Sequence, residues 1–238
     1  VAWVPQSGGL WPHCTAQEHL EIVRAAPEEA AALLCALGLG ERRDARPHEL
    51  SQGEQSRLSI ARALASPAEV CLMDEPLAHV DPARAPQYWR AIRDRIAAAG
   101  ASLVFATHSP ETVIADANRV ICLREGRLLH HGTADALYAR PETEELMNFL
   151  GAGNWLTPAE AQRWLGLALA APACLRPEQI TIEPAASGAA EVIGARFMGA
   201  VAEAELRAAD GARRIFFHRP SGPALAAGMR VSLQLARS

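Results

Sequence analysis

From Val1 to about Gly151, short apolar runs alternate with segments of helical period, which predicts an α/β layer with parallel strand pairing. Val1 to Val4 is strand-like, and Val70 to Met73 and Ser102 to Ala106 are continuous apolar runs suited to strands covered on both faces. Two helices are predicted between Thr15 and Leu39, the first opened by a Thr15/Glu18 capping box and the second by Pro27. A third begins at Ser51, where Ser51 and Glu54 form another capping box and Leu58, Ala61, Leu64 and Ala65 recur at helical spacing. Arg119 to Leu123 and Leu128 to His131, joined by Glu125-Gly126, read as a hairpin, and two short helices follow, the second between Pro141 and Gly151. Residues 152–173 read as a further helical connection around Trp164. Beyond Pro172 the period changes to alternation: "QITIEP", "EVIGARF", "AVAEAELRA", "RRIFFH" and "RVSLQLA" predict five short strands, a small barrel or sandwich. The pattern divides the chain into an α/β part at 1–151, a helical linker at 152–172 and a β-domain at 173–238.

Composition changes this picture in two places. The net charge is −4, from 27 acidic and 23 basic residues spread along the chain, so no nucleic-acid footprint is expected. All 23 basic residues are arginine, and the sequence contains no lysine. Five cysteines lie far apart without paired spacing, which argues against a zinc site or a disulfide framework, and Cys71 and Cys122 are expected to be buried thiols. No apolar run reaches the roughly 18 residues that cross a bilayer, and the start lacks the basic-then-apolar order of a signal peptide. A cytoplasmic chain is expected, unless a partner holds it at a membrane. Its opening on an apolar strand without methionine suggests the C-terminal portion of a longer fold.

The chemistry lies at strand ends. Asp74 and Glu75 follow the apolar run "VCLM", where open α/β sheets place their ligands. An acid there can hold Mg²⁺, and its neighbour can polarise a water for attack on phosphate. His108 ends the next strand and Gln6 follows the first, so all four should share one edge of the sheet. Each has an ordinary alternative as a cap or loop residue; together they fit phosphoryl-transfer chemistry, which is mainly positioning and charge stabilisation. The capped helix start at Ser51, with Gly53 admitting close backbone approach, is a candidate phosphate site.

In chain order over the first 150 or so residues these motifs resemble those of the nucleotide-binding subunits of ABC transporters. "VPQ" resembles the Q-loop, "LSQGEQSRLSIARAL" the signature and its helix, "VCLMDEP" the Walker B strand with its glutamate, "LAHVD" the D-loop, and "FATHS" the switch histidine. "CLRPEQITI" onward resembles the TOBE-type domain of importer subunits. The resemblance implies a partial P-loop NTPase core with a helical subdomain, followed by a small all-β TOBE/OB-like barrel. It implies ATP and Mg²⁺ as cofactors, with Asp74 and Gln6 toward the metal and Glu75, His108 and Gln6 catalytic. Ser51, Gly53, Glu54 and Asp81 would contact nucleotide, Ser51 and Gly53 reaching the γ-phosphate held by the opposite subunit. The implied partners are a second copy, a membrane permease and, indirectly, a periplasmic binding protein, at the inner face of the membrane. The tail favours ferric iron or another small ion as cargo, with polyamine, sulfate and molybdate as competitors.

The sequence departs from the pattern in three ways. A P-loop, G-x-x-x-x-G-K-[ST], needs a lysine that these residues do not contain, so the chain alone is expected neither to bind ATP tightly nor to hydrolyse it. Gln52 stands where the family usually has glycine, and its side chain must avoid the phosphate. Glu54 stands where glutamine is common, a minor change, since glutamate also completes the capping box. Without the P-loop strand the sheet should show an open edge. The competing reading is a non-hydrolysing regulatory or binding module derived from such a subunit; a DNA-maintenance ATPase is disfavoured by the lack of long heptad repeats.

Overall fold

The structure, a computed structural model, describes residues 1–236. Its first compact unit, Val1–Ser109, runs β1 (Ala2–Val4), α1 (Ala16–Glu21), α2 (Pro27–Ala36), α3 (Gln52–Ala65), β2 (Val70–Asp74), α4 (Ala85–Ala98) and β3 (Ser102–Ala106). The Thr15/Glu18 and Ser51/Glu54 capping boxes both form, each closing the free amides of a helix start. Leu20, Leu34, Leu58, Ile60 and Ile92 are fully buried in one core with Val4 and Met73. Each such side chain contributes about 1.5–3 kcal/mol of apolar burial. Cys71 lies in this core, and burial pushes its thiol up to about 11, so it stays protonated at neutral pH.

β2 is the central strand, paired in parallel with β1 and β3. The registers Val4↔Met73 and Asp74↔Ala106 bring the three strand ends out at one edge, which Gln6, Asp74-Glu75 and His108 then share. One face of the sheet is covered, with Ala2, Val4, Cys71 and Met73 buried. The other carries Trp3, Leu72 and Val104 in one row across the three strands, 64, 37 and 56% exposed. The expected cover on both faces therefore exists on one side only, because the described residues leave this second apolar set open. β3 ends the sheet, with no strand beyond it among the described residues. An apolar row beside an unpaired edge favours association. Val104→Glu is accordingly expected to reduce self-association of the isolated chain in sedimentation velocity, while changing unfolding stability by less than about 0.5 kcal/mol.

The second unit, from Pro110 onward, contains α5 (Pro110–Asp116), β4 (Arg119–Arg124), β5 (Arg127–Thr133), α6 (Ala134–Ala139), α7 (Glu144–Phe149), β6 (Asn154–Leu156), α8 (Pro158–Leu165), β7 (Ala173–Leu175), β8 (Ile180–Pro184), β9 (Ala190–Phe197), β10 (Ala202–Ala208), β11 (Arg213–His218) and β12 (Arg230–Leu235). β4 and β5 form the predicted hairpin, turning at Glu125-Gly126 with φ of 50° and 74°, the twist that suits a two-residue turn. A small core of Val113, Val120, Leu137, Leu146 and Leu150 holds this hairpin against the short helices.

Residues 152–173 differ from the helical connection read in the sequence. α8 is present, capped by Thr157/Glu160, but β6 precedes it and pairs antiparallel with β7. The cause is Asn154, whose amide donates to the Leu175 and Phe217 carbonyls at 3.1 and 2.8 Å while its oxygen accepts from Phe217 N–H at 2.9 Å. Those partners lie far along the chain and no local pattern announces them. All five alternating segments form strands, in the antiparallel order β11-β10-β9-β12-β8, with a register shift at Glu205/Leu206 that adds curvature. Trp164 of α8 meets Phe216 edge-on at 5.4 Å over a core that includes Ile182, Val192, Leu206 and Val231. Arg176, 1% exposed, donates to the carbonyls of Tyr138, Met147, Gly151 and Ala152 and joins the short helices to the β-domain.

Candidate functional site

The sequence-predicted residues fall into two clusters, both within the first unit. The first is built on the shared strand edge. Glu75 N–H donates to the Ala106 carbonyl at 2.9 Å, continuing the β2–β3 ladder one residue past the strand. There φ of Glu75 turns to +48°, an uncommon conformation for a non-glycine residue, and its side chain swings toward β3's exit. Its carboxylate accepts from His108 Nδ1 at 2.7 Å, from His108 N–H at 3.0 Å and from the Thr107 hydroxyl at 3.2 Å. A carboxylate accepts only, so the proton on this contact belongs to Nδ1. Nε2 is left as the outward nitrogen of a ring that is 85% exposed, and it must carry a proton of its own to donate to an anion. Asp74, half-buried, lies beside Glu75 at the end of β2, and Gln6 follows β1 on the same edge, exposed.

The second cluster surrounds the start of α3. Ser51 N–H and its hydroxyl donate to the same Glu54 oxygen at 2.9 and 2.8 Å, and Glu54 N–H returns to the hydroxyl at 3.3 Å. The Ser51 amide and then its hydroxyl hold the Glu54 carboxyl below the usual carboxylate range, with Arg42 3.5 Å away. A cleft of about 440 Å³ opens in front of this helix start, lined by Ser51, Gln52, Gly53, His79, Asp81 and Arg84 among others. Gly53 is required there: a Cβ would lie 2.6 Å from the His79 carbonyl oxygen. Asp81 turns its loop by accepting from Ala83 N–H at 2.9 Å. None of Gln6, Asp74, Glu75 and His108 lines this cleft. The loop from Glu75 to Asp81 belongs to both clusters and includes Leu77 at φ +65°.

Several side chains that hold these elements were not singled out in the sequence. Arg57, buried on α3, donates to the Leu37 and Gly38 carbonyls at 2.7 and 3.1 Å and to Tyr88 Oη at 3.0 Å, with its guanidinium 4.8 Å from the Tyr88 ring. Its local signal is weak: Arg57 is one of two arginines on a helix where its neighbours are Ser56, Leu58 and Ser59. Ser59 and Arg62, further along α3, donate to the Gly8 and Gly9 carbonyls at 2.6 and 2.7 Å, which fixes the segment after Gln6. Arg62 lies 4.8 Å over Trp11, and Trp11 stacks on buried His19 at 5.2 Å.

His19 accepts from Trp11 N–H at Nε2 (2.8 Å) and donates from Nδ1 to the Thr15 carbonyl (2.7 Å), so the folded chain holds it neutral. Burial is the main cause that pushes its imidazole below the ordinary histidine value. The unfolded chain therefore takes up this proton first. The His19 contribution is complete above about pH 6.5 and is lost as pH falls through the lower folded value. Urea unfolding of His19→Gln is expected to show a shallower loss of stability over that acid window than the parent chain.

A family model described as "ABC transporter" matches residues 1–78, and one described as "TOBE domain" matches residues 173–238. The chain belongs to the ATP-binding subunits of ABC transporters, in the importer class with a C-terminal TOBE domain. Among its relatives is the Fe(3+) ions import ATP-binding protein FbpC of Serratia marcescens, 31% identical over 99% of this chain and 74% of that protein. The protein of the same name from Yersinia pestis is also 31% identical, with the same coverage. A solved ATP-binding cassette, described as the dimeric structure of a post-hydrolysis state bound to ADP and Pi, superposes with a TM-score of 0.51 at 26% identity, over 56% of this chain and 62% of that one.

Proposed function

We propose that these residues supply the signature and hydrolytic-base portions of an importer ATPase, which couples ATP hydrolysis to uptake of a small ion or solute, ferric iron being the cargo named for its relatives. The observation that carries this reading is the division of the site. Glu75 and His108 meet at the sheet edge, whereas Ser51, Gly53 and Asp81 face a separate cleft. Two copies facing each other would bring the cleft of one to the sheet edge of the other, in keeping with the dimeric ATP-binding cassette that the fold resembles. Membrane permease subunits are the proposed partners, with a periplasmic binding protein acting indirectly, on the inner face of the membrane. No described helix is long and apolar enough to cross a membrane. The domain limits 1–151, 152–172 and 173–238 belong to the same proposal.

The residues present fit half of a nucleotide site. Mg²⁺ commonly uses one or two carboxylates together with waters and phosphates. Asp74 suits that role, and among the described residues no three His, Cys, Asp or Glu gather as a dedicated protein cage. In the proposed assignment Asp74 holds the metal through water and Gln6 senses metal and water. Glu75 takes the proton of the attacking water, and His108 donates to the γ-phosphate. Ser51, Gly53, Glu54 and Asp81 serve the nucleotide held by the opposite subunit. When bound, Mg²⁺ neutralises charge on the phosphates. The wrapping amides and lysine of a P-loop are not among these residues, so no turnover is assigned to the chain by itself.

Removing a general base lowers rate by about 10²–10⁴. In a form that carries a P-loop ahead of these residues, termed the full-length product, turnover that falls by that factor in Glu75→Gln, with none from the isolated chain, is the expected result. Steady turnover by the isolated chain that Glu75→Gln abolishes contradicts the assignment. The absence of lysine also favours a second reading, a non-hydrolysing regulatory or binding module; the same assay identifies it if the full-length product is inert.

A further inference from the structure

The cleft at the start of α3 contains a pair of side chains that the reading above does not use. Gln52 is the first residue of α3, and its Nε2 lies 3.0 Å from His79 Nε2 across the cleft. The backbone of His79 also forms the wall against Gly53. A free glutamine at that position could fold its own carbonyl oxygen onto the open amides of the first turn, which is where an anion would otherwise sit. In this structure its amide group is engaged elsewhere.

We propose that His79 is a positioning residue that parks the Gln52 side chain off the helix start, leaving the Gly53 amide open to a phosphate beside the Ser51 hydroxyl, which is held in the capping box with Glu54. The inference rests on the reading that this helix start faces nucleotide held by a partner subunit. Neutral His79 accepts from the Gln52 amide. Protonated His79 donates to the same group once that amide has rotated, so the tie survives either charge state. Parking therefore needs no particular pH, whereas direct contact between a His79 imidazolium and phosphate does.

The test is a double-mutant cycle in the full-length product, read as KM for ATP and as its pH profile. His79→Ala is expected to raise KM by about fivefold with Gln52 present, and by less than about twofold in a Gln52→Gly background. His79→Asn, which can still bond the Gln52 amide, is expected to restore KM, and the ratio between parent and His79→Ala should not change with pH. An equal effect of His79→Ala in both backgrounds overturns the proposal, as does a ratio that disappears at high pH. Ser51→Arg separates the two levels. If it leaves ATP turnover intact, the partner-nucleotide reading itself fails; if it abolishes turnover while the cycle is additive, only the role of His79 fails.

Discussion

Replacing Arg57 with methionine is expected to lower unfolding stability by about 3 kcal/mol, because it leaves buried acceptors without donors at about 1–3 kcal/mol each. The guanidinium spans three elements: it starts on α3, reaches the Leu37 and Gly38 carbonyls after α2, and meets Tyr88 on α4. Gly38 admits it, since a Cβ there would lie 2.7 Å from both Arg57 Nη1 and Tyr88 Oη. Methionine fills much of the volume but donates nothing, so the loss reports hydrogen bonds more than cavity. Arg57→Lys should be intermediate, because an ammonium cannot reproduce the planar fork. Urea midpoints measure all three, and a change below about 0.5 kcal/mol in Arg57→Met would show that these bonds are replaced by water.

Gly53→Ala sets two effects against each other. Alanine in a helix is favoured over glycine by about 0.8–1.0 kcal/mol. Here the added Cβ would lie 2.6 Å from a backbone oxygen of His79, which no side-chain rotation can relieve. Overpacking of that kind costs about 1–3 kcal/mol, so a net destabilisation of up to about 2 kcal/mol is expected. The functional loss should be larger. Moving the 79–81 loop away from α3 displaces Asp81 and the walls of the cleft together. ATP-dependent pairing of the full-length product is expected to weaken more than tenfold, a change of over about 1.4 kcal/mol. Stabilisation with unchanged pairing would show that the loop moves freely.

Much of this architecture was legible because it is written in local pattern. The Ser51/Glu54 and Thr15/Glu18 capping boxes set helix starts, continuous apolar runs marked β2 and β3, and alternation marked β8 to β12. The four polar residues at the strand edge could be grouped from their positions after apolar runs. What could not be read depends on contacts distant in sequence. β6 and β7 are three residues each, held by Asn154 to Phe217, and their neighbours read as helix. The bond from Gln52 to His79 joins a helix start to a loop, and it answers where the unexpected glutamine goes. Nor did the sequence tell that Glu75 and His108 touch while the Ser51 cleft stands apart, since both groups occur in motifs of equal strength. The open row of Trp3, Leu72 and Val104 was likewise hidden, because apolar runs do not say whether both faces are covered.

The central claim is that the helix start at Ser51 serves a nucleotide held by another subunit. It is tested most directly by mixing the isolated chain, whose Ser51 cleft is intact, with full-length product carrying both Glu75→Gln and Ser51→Arg. The expected result is a one-to-one complex that forms with Mg²⁺-ATP and not without it, seen by analytical ultracentrifugation, and that is lost when the isolated chain also carries Ser51→Arg. A complex indifferent to ATP, or one that survives Ser51→Arg on both partners, would contradict the claim.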